Sequence, residues 1–176
     1  GCRYAFTSYV LANPYYIGIF HFQTMLRFDT YFWQAFRNTL VLSIVKLILN
    51  TGAAVIISLL LNEITNMAFK KSVQTIIYLP HFMSWVVVAA VFKMILSVNS
   101  SGVVNGALIN MGLIDNPIDF LGSSKYWTGT FFMMNVWKDT GWGTILFLAT
   151  LSGISPDLYE AAQIDGANRF KRLIYI

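Results

Sequence analysis

Several residues that could do chemistry stand inside stretches of sequence that are otherwise apolar. These residues are Lys46, Asn50, Asn135, Lys138, Asp139 and Trp142. If such stretches cross a membrane, an ionised side chain near the bilayer centre costs at least about 2.5–3.5 kcal/mol, so it should face a partner or a water-filled cavity. Two interpretations stay open: the set lines a solute pathway, or it holds helices together by hydrogen bonds.

The adjacent Lys138 and Asp139 raise a question of pairing. Neighbours on a helix point about 100° apart, so we expect that they do not simply neutralise one another and that each has a partner on another helix or subunit. His81 follows Pro80 and is either a ligand or proton carrier, or a hydrogen-bonding residue beside a kink. No metal site is expected, because neither His81 nor His21 has acidic or thiol partners at ligand spacing.

Enzymatic and nucleic-acid functions are disfavoured by what the sequence lacks. It contains no G-x-x-x-x-G-K-[ST] loop for nucleotide phosphates, and no paired carboxylates, His cluster or nucleophile–base pair stands out. We therefore expect that the chain is not an enzyme and place a membrane-embedded enzyme below a transporter. Lys and Arg are scattered along the chain, so no nucleic acid is expected as a partner.

The composition indicates the membrane setting in which these polar residues act. Of the 176 residues, 56% are hydrophobic and 11% are charged, less than half the charged share of a soluble domain. Three segments, at about 39–61, 73–96 and 127–151, are long and apolar enough to cross a bilayer as helices. Pro80 should kink or break the second of them. The predicted fold class is an all-α membrane protein, a polytopic helical bundle.

With three spans, the segments outside them alternate between the two sides of the membrane, and their charge predicts which side is which. Residues 62–72 and 155–176 hold five Lys and Arg residues, against four in the ranges 1–38 and 97–126, which are together about twice as long. The positive-inside rule then places the C-terminal segment in the cytoplasm. It makes the aromatic residues 1–38 an external lead-in and 97–126 an external loop, in which we expect a short amphipathic helix.

The stretch SPDLYEAAQIDGANRF, residues 155–170, is typical of a helix, a sharp turn and a second helix. Its Ser-Pro-Asp start suits the first turn of a helix, and Gly166 permits the positive φ of a turn. The adjacent Ala161 and Ala162 would give a flat surface that a partner can approach closely. An ordinary cytoplasmic loop is the alternative interpretation.

Within this stretch, EAAQIDGANRFKRLIYI resembles the EAA motif of the inner-membrane permease subunits of ABC importers. That motif is E-A-A, three residues, Gly, nine residues, Ile, one residue and Leu-Pro; this sequence supplies Glu160, Gly166 and Ile176 at the matching positions, and the Leu-Pro positions lie past Ile176. The stretches FWQAFRNTL, YLPHFMSWVVVA and WKDTGWGTILFLATLSGISPDLYEAA are similar to the carbohydrate branch of this family, in particular to members associated with oligosaccharide or polysaccharide uptake.

The resemblance implies a MetI-like permease fold of six spans. Residues 1–176 would be a partial, single transmembrane permease domain holding three of them, with one span before and two after. The chain would be a multi-pass subunit of the bacterial cytoplasmic membrane that forms half of the translocation pathway for a sugar or oligosaccharide. Residues 155–172 would be its cytoplasmic coupling module, and the residues expected to engage an ATPase are Glu160, Ala161, Ala162, Asp165 and Gly166.

The resemblance also implies the partners. These would be two separate ATPase subunits, a second permease subunit that is identical or homologous, an extracellular solute-binding protein and membrane lipid. ATP and Mg would be bound by the ATPase, so no cofactor is expected in this chain. The alternative function is an ATP-independent membrane transporter or channel subunit, in which residues 155–172 are only a loop.

Overall fold

The computed structural model describes residues 2–8, 15–99, 102–168, 171, 172 and 175. These residues form helices and contain no strand, although an isolated antiparallel bridge joins Thr7 to Tyr16. The predicted all-α class is therefore confirmed. The chain consists of two compact units, Gly1–Val45 and Lys46–Ile176.

The first unit contains a 3₁₀ helix over Cys2–Phe6, helix α1 over Phe20–Phe28, and the beginning of helix α2, Thr30–Asn62. Asp29 separates the two α-helices, and its Oδ1 accepts hydrogen bonds from the amides of Tyr31 at 2.9 Å and Phe32 at 3.2 Å. These bonds satisfy two of the free N–H groups at the start of a helix, so α2 begins there.

Helix α2 contains the predicted span 39–61. Its 33 residues measure about 50 Å at 1.5 Å per residue, more than the roughly 30 Å of a hydrocarbon core. Among the described helices, α2 is the one that is long and apolar enough to cross a membrane by itself.

The second predicted span, 73–96, is broken near Pro80, as the sequence indicates. Helix α3, Met67–Tyr78, is followed by a 3₁₀ turn over Leu79–Phe82 and by helix α4, Trp85–Ile95. The two arms meet at an angle of 106°. Ser84 caps α4 by accepting a hydrogen bond from the Val87 amide at 3.3 Å. Proline and a new cap thus end one helix and start another, and the predicted interruption at Pro80 is confirmed.

The loop 97–126 folds back on α4. It contains the predicted short helix, here α5, Val103–Asn110. Asn105 is buried and joins both ends of the loop: its Nδ2 donates to the carbonyl oxygens of Ser97 at 2.9 Å and Ile118 at 3.0 Å, and its Oδ1 accepts from the Ile118 amide at 2.8 Å. Three hydrogen bonds from one buried amide fix the loop, because each would be costly to leave unmade.

Helix α6, Ser124–Ser152, contains the predicted span 127–151 and packs closely on two neighbours. A Cβ added to Gly141 would lie against the Ile77 carbonyl oxygen and 3.0 Å from Tyr78 Cα, and one added to Gly143 would lie 2.8 Å from Ala54 Cβ. Small residues therefore bring the backbone of α6 against α3 and α2, as in other helix pairs of membrane proteins. That 127–151 crosses the membrane stays a prediction.

Candidate functional site

The C-terminal module begins as its sequence predicts. Helix α7 runs over Pro156–Ile164, and Ser155 caps it by accepting a hydrogen bond from the Asp157 amide at 3.3 Å. Proline occupies the first helical position, where its missing N–H costs nothing. The Asp157 carboxylate lies in the first turn, at the positive end of the helix dipole.

Gly166 ends α7 in a turn that requires glycine. Its φ is +76°, its amide donates to the Gln163 carbonyl at 3.1 Å, and the Ala167 amide donates to the Ala162 carbonyl at 2.9 Å. This pair of bonds is the Schellman motif, in which the residue after the cap adopts a left-handed conformation. A β-branched side chain is strained at that φ.

A second helical segment follows the turn. Asn168 Oδ1 accepts from the Lys171 amide at 2.8 Å, and the Asn168 carbonyl accepts from the Arg172 amide at 3.0 Å. Helix, turn and renewed helix are thus confirmed for the described residues, whereas Ile176, the last residue of the motif match, lies outside them.

The predicted coupling residues lie on the surface of the module. Glu160, Ala161, Asp165 and Gly166 are exposed, and Ala162 is half-buried. No residue of α7 is buried, and the Ile164 side chain is 86% exposed. The module therefore presents an uncovered surface with apolar and acidic groups side by side.

A second group of predicted residues converges where α2, α6 and the break between α3 and α4 meet. Asp139 on α6 lies 3.4 Å from Lys46 Nζ on α2, through Oδ2. Its other oxygen, Oδ1, lies 3.8 Å from Lys138 Nζ and 3.9 Å from His81 Nδ1. We call these four residues the charged cluster.

Lys138 ties α6 to the break in the second span. Its Nζ donates a hydrogen bond to the His81 carbonyl at 3.0 Å and lies 5.3 Å from the centre of the Trp85 ring. The carbonyl belongs to the 3₁₀ turn, where the α-helical bonding pattern is interrupted. A buried ammonium therefore gains a carbonyl, a carboxylate and an aromatic face as compensation.

The structure decides the question of pairing between Lys138 and Asp139. The prediction that each has a partner on another element is confirmed by the His81 carbonyl and by Lys46. The prediction that they do not neutralise one another is wrong in part, since Lys138 Nζ and Asp139 Oδ1 are 3.8 Å apart. The four-carbon stem of lysine lets the ammonium reach back to its neighbour, which the direction of the Cβ atoms does not reveal.

Not every predicted pathway residue joins the charged cluster. Asn135 is buried, and its Nδ2 donates to the Phe131 carbonyl of its own helix at 2.8 Å. Asn50 lies one turn from Lys46, and its Oδ1 is buried and has no hydrogen-bond partner among the described residues. Trp142 reaches the cluster through His81, whose ring stacks on the indole at 5.2 Å with an interplanar angle of 14°.

The sequence places Trp85 on the same helical face as His81, but it does not indicate that the His81 carbonyl binds Lys138. A signal for a free carbonyl was present in Pro80, because a proline break frees backbone carbonyls that a cation can then bind. The described residues contain no group of three or more His, Cys, Asp and Glu side chains able to hold a metal.

The chain matches a known family and solved structures. Residues 50–176 match the family model described as "Binding-protein-dependent transport system inner membrane component". The protein LplB of Bacillus subtilis is 41% identical over 145 residues, 82% of this chain and 45% of its own length. The polygalacturonan/rhamnogalacturonan transport system permease protein YteP of the same organism is 36% identical over 161 residues, 92% of this chain and 49% of its own length.

The fold is shared with a bacterial ABC transporter involved in the import of the acidic polysaccharide alginate. The match has a TM-score of 0.84 and 38% identity, and it covers 92% of this chain and 55% of the solved chain. A second structure of the bacterial alginate transporter contains an alginate pentasaccharide-bound periplasmic protein and matches with the same TM-score. The chain spans about half the length of the curated relatives it matches.

Proposed function

Because the chain belongs to the family of inner membrane components of binding-protein-dependent transport systems, we propose that it is a subunit of an ATP-driven importer. It would form half of the translocation pathway for a sugar or oligosaccharide and couple to a separate ATPase through α7. The family makes it a membrane protein; a multi-pass arrangement in the bacterial cytoplasmic membrane belongs to the proposal.

The observation that carries this proposal is the shape of the C-terminal module. An exposed helix is capped at one end by Ser155 and closed at the other by the turn at Gly166. A rigid, uncovered helix of this kind suits a groove on a partner protein better than a solvated loop does. Glu160 and Asp165 would fix the register of that contact, and Ala161 and Ala162 would let the partner approach closely.

The connection between α7 and the charged cluster gives the coupling a physical route. Helix α6 ends at Ser152, and three residues separate it from α7. When ATP closes the ATPase dimer, a push on α7 would therefore reach α6, which carries Lys138 and Asp139. The spans would then swing between inward-open and outward-open states as rigid bodies.

Polar and aromatic side chains around the cluster support a hydrophilic solute. Trp142 is exposed, and Lys46, Asp139 and His81 are half-buried, so an entering molecule could contact them. Aromatic surface with a few polar groups is typical of small-molecule sites. The names of relatives span neutral and acidic saccharides: lactose for LacF of Rhizobium radiobacter, and polygalacturonan for YteP.

The proposed assembly contains two ATPase subunits, a second permease subunit and an external solute-binding protein, surrounded by lipid. The ATPase subunits would bind ATP and Mg, and this chain would need no cofactor of its own. The periplasmic protein in the alginate transporter structure supports the binding-protein part of this proposal.

Uptake by the reconstituted complete transporter tests the proposal. Proteoliposomes with the full-length chain, its partner permease, the ATPase subunits and the binding protein should accumulate saccharide with ATP and not without it. Liposomes that lack the ATPase subunits are the control. Saccharide transport in that control would instead favour the ATP-independent transporter or channel.

A further inference from the structure

The charged cluster holds more positive than negative charge. Within the described residues, Asp139 is the one carboxylate within 4.0 Å of Lys46 or Lys138. Two ammonium groups against one carboxylate leave one positive formal charge, before any charge on His81 is counted.

This excess lies in the middle of two helices. Lys46 is the central residue of α2, sixteen residues from each end, and Lys138 is the central residue of α6, fourteen from each end. If α2 and α6 cross the membrane over the predicted spans 39–61 and 127–151, Lys138 lies near the middle of its span and Lys46 lies seven residues, about 10 Å, inside the start of its own. An uncompensated charge at such a depth is costly, so an anion should join the cluster.

The two lysines are not equally able to receive an anion. The Lys138 side chain is 8% exposed and already binds the His81 carbonyl, whereas the Lys46 side chain is 38% exposed. The Trp142 indole, stacked on His81, offers an exposed flat surface beside the same cluster. The accessible cation and the accessible ring thus lie together, with Asp139 between the two ammonium groups.

We propose that the charged cluster selects anionic saccharides, with Lys46 binding the carboxylate of a uronic acid unit and Trp142 contacting the sugar ring. This inference rests on the proposed importer function and adds the charge of its solute. A uronate carries a carboxylate for Lys46 and a ring with apolar faces for the indole. Asp139 acts in the opposite sense, since its charge repels the solute and limits how tightly it is held.

Direct binding without the solute-binding protein tests this selectivity. The complete transporter, purified in nanodiscs, is titrated calorimetrically with trigalacturonate and with the same trisaccharide after reduction of its carboxyl groups. We expect the wild type to bind trigalacturonate about tenfold more tightly, the size of one charge-assisted hydrogen bond. Raising the salt concentration should reduce this preference.

Four variants separate the roles of the charges. Lys46→Met should lose the preference and leave affinity for the reduced saccharide unchanged, whereas Lys46→Arg should keep it. Asp139→Asn should bind trigalacturonate more tightly than the wild type. Lys93→Met is the matched control, because Lys93 lines a separate cavity of about 280 Å³ near the end of α4 and should affect neither saccharide.

Several results would overturn the inference. These are equal affinity of the wild type for both saccharides, absence of trigalacturonate binding, and a Lys46→Met variant that keeps the preference or weakens both saccharides alike. Loss of the preference in nanodiscs of anionic lipid would assign the site to a lipid phosphate. If the Lys46→Met subunits fail to associate in the presence of either saccharide, the partner of Lys46 would instead be a carboxylate of the second permease subunit.

Uptake in proteoliposomes distinguishes the failure of this inference from the failure of the importer function. If neither saccharide enters on addition of ATP, the importer function fails. If both enter and Lys46→Met treats them alike, the importer function stands and the charge selectivity fails.

Discussion

At the scale of single residues, the structure favours different roles for two lysines that look alike in the sequence: packing for one, and contact with a solute for the other. Both interrupt apolar stretches, and both approach Asp139. Lys138 is buried and holds the His81 carbonyl, which favours a packing role. Lys46 is partly exposed, and its attraction to Asp139 is the one interaction described for its ammonium group, which favours contact with a solute. The difference follows from the break at Pro80, which gives Lys138 a carbonyl to bind.

Lys138→Met should therefore destabilise the protein more than Lys46→Met does. The first change removes a part-buried hydrogen bond and leaves the His81 carbonyl without its donor, at a cost of about 1–3 kcal/mol. The second removes a partly exposed ion pair and leaves Asp139 with Lys138 Nζ at 3.8 Å, so its cost should be smaller. Thermal unfolding of the purified full-length protein in detergent measures both. Equal shifts of the two midpoints would contradict the packing role of Lys138.

At the scale of helices, local chemistry explains what could be predicted from the sequence. The start of α7 follows from the Ser-Pro-Asp order, its end from Gly166, and the break in the second span from Pro80. Each is decided within a few residues by a cap, a positive φ or a missing N–H. The position at which a helix is interrupted can therefore be predicted from the sequence, whereas the 106° angle between the two arms cannot.

Tertiary contacts explain what could not be predicted. Asn105 makes hydrogen bonds to two residues that lie 8 and 13 positions away from it in the sequence, and the hydrogen bond from Lys138 to the His81 carbonyl spans 57 positions. Neither leaves a periodic pattern, since each depends on how helices pack. The close approaches at Gly141 and Gly143 could not be predicted for the same reason, because a glycine in a helix does not indicate which neighbouring helix packs against it.

The turn between α7 and the segment after it should be essential for coupling. Gly166→Val forces a β-branched residue to φ near +76°, a left-handed conformation that costs an L-residue roughly 1–2 kcal/mol. We expect normal insertion of the variant into membranes but loss of ATP-dependent uptake, because the module no longer presents its surface in one conformation. Uptake normalised to the amount of protein in the membrane measures this effect.

Gly129→Val is the matched control for the turn. Gly129 lies within α6, and a Cβ there would meet no atom within 4 Å, as at Gly166. The two sites thus differ in backbone conformation and not in available space. Normal uptake by Gly166→Val, or an equal loss in both variants, would refute a specific role of the turn.

At the scale of the whole molecule, the proposed mechanism requires that α7 and the loop 97–126 face opposite sides of the membrane. The predicted orientation depends on a modest difference in positive charge: five Lys and Arg residues on the side of α7, against four on the other side, where the segments are about twice as long. The broken second span makes this question sharper, because a pair of helices bent by 106° could either cross the membrane or turn back within it. If the pair turned back, α5 and the start of α6 would lie on the same side as residues 62–72.

Cysteine labelling from each side decides between these topologies. Cys2 is the one cysteine of the sequence, so with it and any others in the full-length protein replaced, single cysteines can be placed at Ile164 on α7 and at Met111 after α5, both exposed. A membrane-impermeant maleimide should label Ile164→Cys in inside-out vesicles alone and Met111→Cys in right-side-out vesicles alone. Added ATPase subunits should protect Ile164→Cys and not Met111→Cys, because α7 would enter their groove. The reversed pattern, with Met111→Cys labelled in inside-out vesicles alone and Ile164→Cys in right-side-out vesicles alone, is expected if the bent pair turns back, because α6 would then carry α7 away from the cytoplasm, and coupling to the ATPase through α7 would fail. Labelling of both positions from the same side would show that α6 does not cross the membrane.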